Sequence, residues 1–135
     1  MTIQETYEYL GCIRAIDRRI QRLTLWHDEL ESSLLPSGIR YDRDIVQTSP
    51  EDKFSEIASR VVDLEKEIRQ LQLEKSRWIY SVGMAIEQLE DEAEKTVLSA
   101  FYIGRLPMTD VAELIHYGLS RTYDIRRNAV CKRHR

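Results

Sequence analysis

Tyr9, Ile13, Ile16, Ile20, Leu23, His27, Leu30 and Leu34 follow one another in alternating steps of four and three, and all but His27 are apolar. That period holds the row on one face of an α-helix. Ahead of it, Thr2-Ile3-Gln4-Glu5 has the form of a capping box, in which the threonine hydroxyl accepts an early backbone N–H and the glutamate reaches back to the cap. Pro36 and Gly38 stop the pattern. One helix over about 3–34 is predicted, roughly 45–50 Å long at ~1.5 Å per residue.

A second row runs through Phe54, Ile57, Val61, Leu64, Ile68, Leu71, Lys75, Trp78, Val82, Ala85 and Leu89 at the same alternating steps, with Lys75 as its one interruption. Repetition of this length predicts coiled-coil packing. Ser49 is suited to cap this helix, Pro50 to its first turn, and Glu51 and Asp52 to the positive end of its dipole. Gly83 weakens the helix interior locally and is a candidate bend. The fourteen residues LPSGIRYDRDIVQT between the two patterns leave room for the chain to reverse. The expected fold class is all-α: a long antiparallel helical hairpin over 1–88, with helices at about 3–34 and 50–88, then a helix-turn-helix module over 89–135. The hairpin, with Trp26 and Trp78 on or beside its stripes, is the expected oligomerisation or partner surface, and a homodimer is the favoured state.

Past residue 86 the pattern shortens. The acidic run at 87–94 predicts a bend or a fresh helix start. Val97, Leu98, Phe101 and Tyr102 form one apolar face, and Gly104 is expected in the left-handed position that ends a helix. Pro107 then precedes a helix of about nine residues whose inner face is Val111, Ala112 and Ile115. His116-Tyr117-Gly118 interrupts, with Tyr117 expected as a plug between helices, and a second helix turns Thr122, Ile125, Ala129 and Val130 inward. Two short helices joined by a three-residue turn are what a helix-turn-helix requires. Leu119, Ser120, Arg121, Tyr123, Asp124, Arg126 and Arg127 are left outward.

Charge sharpens this reading. The chain of 135 residues has a net charge of −3, yet residues 116–135 hold six Lys/Arg against Asp124 alone, a balance of +5. The other 115 residues balance at −8. A basic end on an acidic body suits an anionic partner, with a merely solubilising tail as the competing explanation. The expected DNA-binding residues are Ser120, Arg121, Tyr123, Asp124, Arg126, Arg127 and Lys132. Arginine donates bidentately to guanine or pairs with phosphate, and Ser120 and Tyr123 can donate to phosphate oxygens. Asp124 can accept from a cytosine amine, although bracing Arg121 or Arg127 as an i±3 ion pair is the better-supported role.

Other chemistry is not expected. There is no phosphate loop, no Cys/His pair at catalytic spacing and no metal-ligand cluster, so neither an enzyme nor a cofactor is predicted. His27 is read as a partnered core histidine without a function. Cys12 and Cys131 lie in unrelated segments, in keeping with a reducing cytoplasm. The polar start MTIQETYEYL does not read as a signal peptide, and without a run of eighteen apolar residues no membrane span is expected.

Residues 86–131, IEQLEDEAEKTVLSAFYIGRLPMTDVAELIHYGLSRTYDIRRNAVC, resemble the C-terminal promoter-reading domain of sigma factors. Val111-Ala112-Glu113 falls on that family's I-A-E, while Ile125, Ala129 and Val130 fall on the apolar positions of its reading helix. The whole chain is similar to short phage regulators of late-gene transcription of the RinA/ArpU type, most closely at Tyr102-Ile103-Gly104 and Ile115-His116-Tyr117. The resemblance implies a DNA-binding transcription regulator at a phage or prophage promoter in a bacterial host, and admits host RNA polymerase as a further partner. It departs from the family at Gly118, where a serine or threonine cap is usual, and at His116, where sigma factors often carry glycine. Ser120 is therefore a candidate cap for a later helix start, and which of Leu119, Ser120 and Arg121 reaches a base stays open. A phage small terminase subunit and a coiled-coil interaction protein without DNA binding are the alternative readings.

Overall fold

The computed structural model describes residues 2–35 and 50–134. Among these the regular structure is entirely helical: α1 (Ile3–Leu10), α2 (Cys12–Leu34), α3 (Pro50–Glu87), α4 (Glu92–Leu98) with a π-helical turn at Ser99–Ile103, α5 (Met108–Ile115) and α6 (Leu119–His134). The stop at Pro36 and Gly38, the reversing segment and the Ser49 cap lie outside the described residues. None of the described helices is long and apolar enough to cross a membrane.

The first helix starts at its capping box. Thr2 Oγ1 accepts from the Glu5 N–H at 3.1 Å, and Glu5 Oε2 accepts from the Thr2 N–H at 2.9 Å. The single helix expected over 3–34 is instead two, jointed at Gly11, whose ψ of −1° loosens the turn before the chain resumes at Cys12. A β-carbon there would stand 3.2 Å from the Tyr7 carbonyl oxygen, a tight contact. By contrast, α3 runs unbroken through Gly83.

Two compact units divide the chain, residues 18–73 and residues 1–17 with 74–135. In the first, Ile20, Leu23, Val61 and Leu71 are buried along the two stripes, while Phe54 remains half exposed. Arg19 pairs with Glu67 at 2.6 Å and His27 with Glu65 at 3.0 Å, so His27 is partnered as expected.

In the second unit the core gathers Leu10, Ile13, Val82, Ile86, Leu89, Leu98, Tyr102, Ala129 and Val130. The expected division at residue 88 is not where the structure divides: α1, the end of α3 and α6 share this one core. The apolar pattern marks which faces are buried but not which partner covers them. Lys75, the interruption in the second stripe, is accounted for here. Its Nζ lies 2.7 Å from Asp17 Oδ1, and Arg105 Nε lies 3.2 Å from Asp17 Oδ2.

Candidate nucleic-acid interface

The acidic run does restart the chain. Asp91 caps α4, accepting from the N–H groups of Ala93 (2.8 Å) and Glu94 (3.2 Å). The π-helical turn follows, with the Gly104 N–H bonded to the Ser99 carbonyl at 2.8 Å. Gly104 is not in the left-handed region, contrary to the sequence expectation; its φ is −75°, and Arg105 takes the positive φ of 57° instead. Glycine is needed at 104 for space, because a β-carbon would stand 2.8 Å from the Ala100 carbonyl oxygen. Arg14 closes this turn from α2. It donates to the carbonyls of Phe101 (3.2 and 3.0 Å) and Leu106 (3.0 Å), with its guanidinium 4.1 Å from the Phe101 ring centroid.

Pro107 stands in the cap position of α5, its carbonyl accepting from Asp110 and Val111 at 3.0 Å. Val97, Met108 and Val111 bury one another, and Ile115 and Ile125 pack beside them. The helix ends at His116, which adopts the left-handed conformation (φ 62°, ψ 36°). The His116 N–H bonds the Glu113 carbonyl (3.3 Å) and the Tyr117 N–H bonds the Ala112 carbonyl (3.2 Å), the paired bonds of a Schellman ending.

Gly118 opens α6. Its carbonyl accepts the Thr122 N–H at 3.0 Å and the Thr122 hydroxyl at 2.9 Å. The glycine offers no side-chain acceptor of its own, and Ser120 lies inside the first turn rather than capping a later start. Thr122, Ala129 and Val130 have no exposed surface, and Ile125 is partly buried. The inward register of this helix is therefore as the spacing predicts.

Around the remaining circumference Ser120, Arg121, Tyr123, Asp124 and Arg127 are all exposed. Arg127 Nη2 pairs with Asp124 Oδ1 at 2.6 Å, the bracing role expected of Asp124. Arg121 holds its guanidinium 4.7 Å from the Tyr117 ring centroid. Tyr117 is not the expected plug; it is 42% exposed and serves as a platform for Arg121.

Two further expected residues reach other elements, Lys132 while remaining exposed. Arg126 is partly buried, with its guanidinium 4.7 Å from the Phe101 ring centroid and 5.4 Å from that of Tyr123. Lys132 Nζ sits 2.8 Å from Glu94 Oε1, a carboxylate whose side chain is only 6% exposed. The hydrogen bond to Glu94, followed by the attraction of that carboxylate, raises the Lys132 ammonium above its ordinary value. The contacts of Arg14, Phe101 and Glu94 are not visible in the sequence, because their partners are distant in the chain and at no helical spacing.

A scan of protein-family models, a search of curated proteins and a search of solved structures each give no match to this chain.

Proposed function

We propose that this chain is a DNA-binding transcription regulator acting at a phage or prophage promoter in the cytoplasm of a bacterial host. In this reading the pair α5 and α6 lies on duplex DNA like the promoter-reading domain of a sigma factor. The observation that carries it is the division of α6. Thr122, Ala129 and Val130 are fully buried, while Ser120, Arg121, Tyr123, Asp124 and Arg127 present hydrogen-bonding groups together on the exposed side. Each pairing leaves capacity for DNA. Arg127 uses one nitrogen on Asp124, and the face of the Arg121 guanidinium rests on Tyr117, leaving its in-plane donors to reach a base edge or phosphate. Arg126 and Lys132 also make contacts inside the module, to Phe101 and Glu94. A homodimer would then address paired half-sites about one helical turn apart, with host RNA polymerase as a further partner.

Mobility shift on phage promoter fragments, with salt titration, tests this directly. Affinity should fall steeply with salt, and Arg121→Ala/Arg127→Ala should weaken binding at every salt concentration while the helical circular dichroism is kept. Equal binding by that double variant would sink the reading.

An interaction protein is the second reading, favoured by the exposure of Leu25 (60%) and Trp26 (55%) on α2. Absence of DNA binding at low salt would select it. Solution mass separates the dimer from a ring of eight or more copies, the assembly of a terminase small subunit.

A further inference from the structure

In the unit formed by residues 18–73, His27 Nε2, a Glu31 carboxylate oxygen and a Glu65 carboxylate oxygen all lie within 4.8 Å of one another. Nε2 is 3.0 Å from Glu65 Oε1 and 3.7 Å from Glu31 Oε2. Around a tetrahedral zinc with ligand bonds of about 2.0–2.2 Å, neighbouring ligand atoms stand about 3.4 Å apart, so a small adjustment would bring these atoms to that spacing. The spacing has a local origin. His27 and Glu31 are one helical turn apart on α2, and Glu65 comes across from α3.

The other ring nitrogen has a partner outside this trio. Nδ1 lies 3.0 Å from Asp28 Oδ1, the carboxylate–histidine arrangement that holds a metal-ligating imidazole in one tautomer. In the metal-free protein Nε2 is hydrogen-bonded to Glu65; a zinc ion would displace the proton of that bond, with Asp28 holding the other proton on Nδ1. The imidazole is 15% exposed and, with Asp28 and Glu65, borders a cleft of about 390 Å³ that Arg69 and Gln72 also line, while Glu31 lies outside it and is open to solvent.

We propose that His27, Glu31 and Glu65 form a divalent transition-metal site of the zinc class, with Asp28 orienting the imidazole. One nitrogen and two carboxylate oxygens suit zinc, whereas calcium and magnesium prefer all-oxygen shells. The site joins helices whose ligands stand 38 residues apart in the chain, so a bound ion would fasten α2 to α3. It is independent of the DNA reading.

The test is titration of metal-free, full-length protein with zinc chloride, by calorimetry and by thermal melting. Cobalt(II) serves as the absorption probe of tetrahedral geometry. One zinc per chain is expected, raising the melting midpoint by roughly 5–10 °C at saturating metal. His27→Gln should weaken binding at least about 50-fold, and Glu65→Gln and Asp28→Asn about 10-fold or more. Glu31 is 57% exposed, so Glu31→Gln is the variant that removes a ligand with least risk to folding, and it should also bind about 10-fold more weakly. A His116→Gln/His134→Gln control should bind as the parent does. Equal zinc affinity in His27→Gln and Glu31→Gln, or no saturable binding below millimolar zinc, overturns the proposal.

Discussion

Arg126 on α6 and Phe101 in the π-helical turn are in contact, guanidinium to ring centroid at 4.7 Å, while Arg127 beside it points to solvent and Asp124. Adjacent arginines thus carry different tasks. Arg126→Ala should lower stability to urea by about 1–2 kcal/mol, through the lost cation–π contact and the lost packing of its stem. Arg121→Ala and Arg127→Ala should leave the urea midpoint nearly unchanged. Each should reduce the slope of log affinity against log salt by about 0.9 where its phosphate contact is lost. A large stability loss in Arg121→Ala, or none in Arg126→Ala, would contradict the assignment.

His116 ends α5 with a φ of 62°, a conformation in which a β-carbon is strained. His116→Gly should relieve that strain while keeping the Schellman bonds to Ala112 and Glu113. Its expected effect is a gain of about 0.5–1 kcal/mol, after the added freedom of the unfolded chain is taken into account. Chemical denaturation measures it, and a loss of stability would show that the imidazole makes a compensating contact.

At Gly104 the opposite holds. Its φ is negative, so alanine meets no backbone penalty, but the new methyl would stand 2.8 Å from the Ala100 carbonyl oxygen. Backbone has little room to yield there, and Gly104→Ala should cost about 1–3 kcal/mol. Amide exchange should show the loosening first in the π-helical turn. A neutral outcome would mean that this turn relaxes to an ordinary helix.

Glu94 and Lys132 form a coupled pair in which the carboxylate is buried and the ammonium half exposed. Lys132→Ala should lower the melting temperature, because it strips the buried carboxylate of its counter-charge. In a Glu94→Gln background the same substitution should have little effect. If Lys132 instead contacts DNA directly, the substitution will weaken binding equally in both backgrounds, and the double-mutant cycle will show no coupling in stability.

These relationships mark what the sequence makes legible. Period alone places the buried faces: Ile13, Ile20, Leu23, Val61, Leu71 and Val82 are all inside. Local chemistry likewise gives the Thr2 capping box and the Asp124–Arg127 brace, since both join residues three apart on a helix. Spacing on α6 turns Arg126 outward and says nothing of what Lys132 pairs with, because helical spacing describes one helix at a time. The ring of Phe101 and the carboxylate of Glu94 come from other elements, and only tertiary packing brings them to α6. Gly104 shows the same limit. Its identity signals that a glycine is needed, without distinguishing a left-handed backbone from a close approach.

His27 gives the pH dependence. Its Nε2 faces Glu65 and Glu31, and its Nδ1 faces Asp28. The hydrogen bond to Glu65, then that to Asp28, raises the imidazole above its ordinary value of 6.5, with burial opposing and the charges of Glu31 and Glu65 adding to the rise. Well below 6.5 the ring is protonated in both folded and unfolded chains, and its full contribution to stability is present. As the pH climbs past the folded value the proton leaves and that contribution is lost. With metal chelated, the urea midpoint should therefore fall from pH 5.5 to pH 8.5, by an amount worth about 0.5 kcal/mol given the exposure of Asp28 and Glu31. His27→Gln should remove this part of the profile. A midpoint that rises with pH in the parent, or an identical profile in the variant, would show that the ring is not held as an imidazolium between α2 and α3.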